Sequence, residues 1–142
     1  MADAYAHIAC CLDASPAGDA ALAAAIRMRS LGAGGLTLLH VMEPGAEVYT
    51  GYAGDTRGDG SLDARSWMRE MVALAPGSEG VLLEGHPPAA VEEWARGAGV
   101  DLLVAVRHRG RLEHLMLGSF AQHLAYHAPC PVLLVHPPGA SG

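Results

Sequence analysis

The chain contains no lysine; all nine of its basic residues are arginine. Chemistry that needs a primary amine is thereby excluded: a phosphate-loop lysine, a Schiff base, a lysine general base, the lysine of protein kinases. Asparagine is absent too, while Ala, Gly and Arg are plentiful. Positive charge is the minority sign, with 15 acidic residues and a net charge of -6 when His is neutral. That balance argues against broad binding to nucleic acid or to an anionic membrane surface. Cysteine is sparse: Cys10 and Cys11 are adjacent and Cys130 is far away, so no disulfide framework is expected. No apolar run reaches the roughly eighteen residues of a membrane span. The start, Met1-Ala2-Asp3-Ala4-Tyr5, lacks a basic region and a long apolar stretch, and no signal peptide is expected. Together these absences point to the reducing cytoplasm.

What is present suits one globular domain over residues 1–142. Apolar residues make up 51% and charged residues 17%, enough for a core and too little charge for a disordered chain.

The apolar run His7–Leu12 reads as a buried strand ending at Asp13-Ala14-Ser15-Pro16. Residues 16–31 carry Leu22, Ala25, Ile26 and Arg29 at helical spacing, with Pro16 at the start and Gly32 at the stop. Leu36–Val41 reads as a second buried strand. The Gly-punctuated stretch 43–60 reads as a long, flexible loop. A helix is predicted over Ser61–Leu74, with Trp67, Met71 and Leu74 marking one face. A weak strand follows at Gly80–Glu84. A third helix begins at Pro87-Pro88, with Val91, Trp94, Ala95 and Ala98 on its apolar face. Asp101–Val106 is a strong strand, Arg107–Leu117 a loop, and a fourth helix starts near Gly118-Ser119. Val132–Val135 is the last strand. Continuous apolar strands alternating with amphipathic helices predict an α/β, Rossmann-like doubly wound sandwich, a five-stranded parallel sheet with four helices on both faces. A small-molecule site then belongs at the carboxyl ends of the strands, in the loops after Leu12, Val41 and Val106.

Several signatures are missing. Gly32-Ala33-Gly34-Gly35 precedes a strand and lacks the last glycine of a dinucleotide fingerprint. There is no G-x-S-x-G, H-E-x-x-H or C-x-x-C. His108 and His114 have no carboxylate or thiol to complete a ligand set, so no metal is expected. Cys10 and Cys11 point to opposite faces of a strand and read as small core residues. His40 reads as a packed or edge histidine, and Trp67 and Trp94 as core.

Four segments carry a resemblance. Ile8–Asp13 with Ser15 and the Ala-rich helix, the strand Leu36–Val41, Ala89–Val106, and above all Leu115-Met116-Leu117-Gly118-Ser119 followed by His127–Val135 resemble the universal stress protein (UspA-like) family. The resemblance implies a five-stranded Rossmann-like sandwich and a homodimer formed through the last strand, here Val132–Val135. One branch of that family binds ATP or AMP, with an Asp after strand one and a Val at the end of strand two near the adenine. Asp13 and Val41 occupy those positions. The binding branch has a glycine after strand four, a second glycine three residues later and a Gly-Ser or Gly-Thr nine residues beyond. Gly118 and Ser119 supply the end of that pattern. Counted back from Gly118, the other two positions hold His108 and Ala105; counted forward from the strand, they hold Val106 and Arg109. Gly110 stands for the second glycine after a one-residue shift, and the first glycine is missing in every alignment.

Glycines in such a loop let backbone N–H groups approach phosphate oxygens, and Val106 narrows that approach. The start of the fourth helix still offers free N–H groups and the positive end of a dipole. Arg107, Arg109 and Arg111 bring three guanidinium groups suited to bidentate phosphate binding. Each feature also has a plain structural use: Asp13 as a helix cap or turn residue, Gly118-Ser119 as an N-cap, the arginines as a solvated loop. Two functions stay open. The first is a dimeric cytoplasmic stress-response regulator that binds adenine nucleotide, ATP or AMP, through Asp13, Val41, Val106, Arg107, Arg109, Gly110, Gly118 and Ser119. The second is a stress protein without nucleotide that acts by dimerisation and partner contacts. An enzyme such as a slow ATPase is not expected, since Asp13 is the only carboxylate expected near the pocket.

Overall fold

The computed structural model describes residues 5–13, 17–32, 34–43, 60–107 and 118–136. The predicted loop 43–60 lies almost wholly outside them.

Nine elements alternate along the chain: β1 (His7–Cys11), α1 (Ala17–Arg29), β2 (Gly35–Met42), α2 (Gly60–Leu74), β3 (Glu79–Glu84), α3 (Pro87–Ala98), β4 (Leu102–Val106), α4 (Ser119–His127) and β5 (Val132–Val135). The strands form one sheet in the order β3-β2-β1-β4-β5, and every pairing is parallel. The fold class is therefore the predicted one. Strand order reverses between β1 and β4, which places the crevice of a doubly wound sheet at their carboxyl ends.

Both faces of the sheet are covered, so its central strands are apolar on both sides. On one face Ile8, Cys10, Leu36, Leu38 and Val104 pack under α1 and α2, against Leu22, Ala25, Trp67 and Met71. On the other, Ala9, Cys11, Leu39, Leu103 and Ala105 pack under α3 and α4, against Val91, Ala95 and Leu124. Cys10 and Cys11 thus fall on opposite faces, as adjacent strand residues must. Two helical faces differ from expectation. Leu74 is 62% exposed, and α2 buries Ala64, Trp67, Met68 and Met71, with Ala75 just past its end. Trp94 and Ala98 are half-buried and exposed, leaving Val91 and Ala95 as the anchors of α3. Hydrophobic spacing gives the angle about a helix axis, not whether a neighbour stands opposite that turn.

The amino ends of the strands are closed by a polar clamp. The Asp101 carboxylate accepts from the backbone N–H of Ala6 at 2.8 Å and of His7 at 2.9 Å. His7 donates from Nδ1 to the Ala98 carbonyl at 3.2 Å, and its Nε2 meets the Thr37 hydroxyl at 3.0 Å. This ties β1, β2 and the end of α3 together and leaves the opposite, carboxyl end of the sheet for a ligand.

Candidate functional site

At the carboxyl end, β1 continues past Cys11 for one more paired residue: Leu12 N–H donates to Leu39 O at 2.8 Å. Asp13 follows and is half-buried. The first turn of α1 comes close to it. A Cβ built on Gly18 would stand 3.0 Å from the Asp13 carbonyl oxygen and 3.4 Å from its Oδ1, so only glycine sits there without displacing Asp13. Val41 lies in β2 opposite Leu83 of β3, half-buried against the α3–α4 side of the core.

On the other side of the crevice, Val106 closes β4 opposite Val135. It packs against the α1–α2 side of the core. No non-glycine residue among the described ones has a positive φ, so neither Val106 nor Arg107 takes the left-handed conformation that would favour glycine. The missing glycine is therefore accommodated without strain at this point. Arg107 is held by its backbone on two sides: its N–H donates to Val135 O at 2.8 Å, and its carbonyl accepts from Gly118 N–H at 3.4 Å. Both ends of the 108–117 connection consequently meet at the mouth of the crevice.

Gly118 is the N-cap of α4, with φ -66 and ψ 160, and makes no side-chain capping bond. Ser119, expected to share the capping role, is the first helical residue and is exposed. The first turn has no acidic residue, so the positive end of the helix is not neutralised from within the helix. Arg107, whose backbone carbonyl meets Gly118 N–H, has a buried Nε with no hydrogen-bond partner among the described residues. A buried guanidinium N–H without an acceptor is costly, and a charged oxygen acceptor relieves it best.

Of the predicted site residues, the structure brings Arg107 and Gly118 into contact, with Val106 and Ser119 next to them in sequence. Asp13 and Val41 lie at the ends of the neighbouring strands. Arg109 and Gly110 lie outside the described residues, as do His108, Arg111 and His114. Sequence reasoning missed Gly18, whose only signal was a glycine in an otherwise Ala-rich first turn. It also missed the role of His40, which is buried and donates from Nδ1 to the Leu12 carbonyl at 2.8 Å. Exposed Glu43, just past β2, adds a second carboxylate at this end of the sheet. Among the described residues no group of three His, Cys, Asp or Glu is placed to hold a metal ion.

The geometry offers a parallel-sheet crevice with the N-terminus of α4 and an arginine on one wall and a carboxylate on the other. Comparison with known proteins bears on what such a crevice does. The sequence profile of the universal stress protein family matches residues 4–136. A Thermus aquaticus protein named "Universal stress protein in QAH/OAS sulfhydrylase 3'region" is 36% identical over 108 residues, covering 70% of this chain and 76% of that one. The universal stress protein UspA from Lactobacillus plantarum superposes with a TM-score of 0.75 at 24% identity, over 92% of this chain and 97% of that one. A universal stress protein in complex with cAMP superposes with a TM-score of 0.72 at 24% identity, over 94% and 99% of the two chains.

Proposed function

Because this chain belongs to the universal stress protein family, we propose that it binds an adenine nucleotide, ATP or AMP, at the carboxyl ends of β1 and β4. The observation that carries this reading is the buried Arg107 Nε, without a partner among the described residues, on a residue whose backbone carbonyl accepts from Gly118 N–H at the start of α4. Arg107 supplies by side chain part of what glycine-lined backbone supplies elsewhere, and the α4 amides after Gly118, with Ser119, complete the phosphate side. Asp13 and Val41 take the adenine and ribose side. Arg109 and Gly110 extend the phosphate loop. The cAMP carried by a protein of the same fold supports the ligand class. The proposal is of a regulatory binder, cytoplasmic and homodimeric, rather than a catalyst.

Calorimetry with ATP, ADP and AMP tests it. Micromolar binding is expected for the wild type. Arg107→Ala should weaken it about tenfold or more, the loss of a charge-assisted hydrogen bond. Arg65→Ala, on the exposed face of α2, should leave it unchanged. Absence of any affinity below the millimolar range in the wild type overturns the proposal. That result favours the second reading, a dimeric stress protein without nucleotide, for which Val106 at the position of the missing glycine is the supporting observation.

A further inference from the structure

Asp13 stands one residue beyond the last sheet-paired residue of β1, where backbone ladder bonds no longer hold the chain. A side chain of the neighbouring strand grips the peptide that leads into it. His40 of β2 is buried, 9% exposed, and its Nδ1 lies 2.8 Å from the Leu12 carbonyl oxygen. A carbonyl only accepts, so Nδ1 carries the hydrogen. The imidazole itself is fixed by α2: it stands edge-on to the fully buried Trp67 ring, with centroids 4.7 Å apart and planes at 71°. The carbonyl it grips belongs to the peptide bond that joins Leu12 to Asp13. Orienting that peptide plane sets the N–H and Cα of Asp13. Leu12 N–H, bonded to Leu39, secures the preceding plane, and Gly18 closes on Asp13 from the far side.

We infer that His40 is a positioning residue of the nucleotide site: through its Nδ1–H it fixes the Leu12–Asp13 peptide and so aims the Asp13 carboxylate into the crevice. The inference rests on the binding role proposed above for Asp13, and its test separates the two.

An Asn side chain places an N–H donor near the position of Nδ1, whereas Gln places one near Nε2. The measurements are AMP affinity, thermal midpoint and the backbone amide resonance of Asp13 in ligand-free protein, for wild type, His40→Asn, His40→Gln and His40→Ala. Affinity should fall about fivefold to tenfold in His40→Gln and His40→Ala, the value of one hydrogen bond, and recover in His40→Asn. The Asp13 amide should shift in the first two variants and return toward wild type in the third. The imidazole nitrogen spectrum of the wild type should show hydrogen on Nδ1. Affinities that follow the thermal midpoint across all three variants, or an Asp13 amide indifferent to the Asn–Gln exchange, overturn the inference. If the wild type binds no nucleotide, the proposed function falls alone, and the Asp13 amide series in ligand-free protein still decides whether His40 sets that peptide.

Discussion

At Gly34 a Cβ would stand 2.1 Å from the Tyr5 carbonyl oxygen and 2.8 Å from that of Ala6. Gly34 is thus explained by close passage of the segment leading into β1, not by a phosphate. Gly34→Ala should lower stability by ~2–3 kcal/mol, since backbone rather than a flexible side chain must move; urea unfolding measures it. The cysteines make the second case at this scale. Burial pushes the Cys11 thiol up to about 12 and the Cys10 thiol well above its ordinary value. Burial also raises Cys130, but that residue is only half-buried. In native protein a disulfide thiol reagent should modify Cys130 first and leave Cys10 and Cys11 untouched until denaturant is added. Equal rates for two or more thiols without denaturant would contradict this. Core placement of both adjacent cysteines was legible from strand alternation. The positions of Gly18 and His40 were not, because each is defined by a neighbour remote in sequence.

Helices α3 and α4 meet through a small charged group. Glu92 accepts from His123 Nε2 at 2.8 Å and from Arg96 Nη2 at 3.0 Å, while the His123 and His127 rings lie 4.6 Å apart. The hydrogen bond from His123, then that from Arg96, holds the Glu92 carboxyl below the usual glutamate range despite some opposing desolvation. A carboxylate depressed in the folded state stabilises the fold above its unfolded value, and that contribution vanishes as pH falls through the folded value. Glu92→Gln should therefore be less stable than wild type near neutral pH, and the two urea midpoints should converge below about pH 4. A constant gap across that range would exclude Glu92 ionisation as the cause. At the scale of elements the sequence was largely transparent. Pro87-Pro88, Gly99 and the strand runs punctuate it strongly, and the helix faces were misjudged at Leu74, Trp94 and Ala98.

In the whole molecule the edges decide behaviour. β3 is one edge of the sheet and carries Glu79 and Glu84 at its ends. Such charges discourage further strand pairing. β5 is the other edge, four apolar residues that are all only half-buried in the single chain. A two-fold pairing of β5 with β5 covers it, and light scattering at micromolar concentration should give the mass of a dimer; the mass of a monomer refutes the pairing. Among the described residues no helix is long and apolar enough to cross a membrane.

The sequence by itself determined the alternation of strands and helices, the parallel sheet buried on both faces, and the family. Those properties follow from local periodicity and from residues adjacent in the chain. Tertiary structure alone decided that Arg107 and Gly118 touch, that an arginine nitrogen is buried without a partner among the described residues, and that a histidine of β2 reaches the peptide before Asp13. These depend on distances between segments far apart in sequence, which are set only when strand order and register bring β1, β2, β4 and β5 side by side.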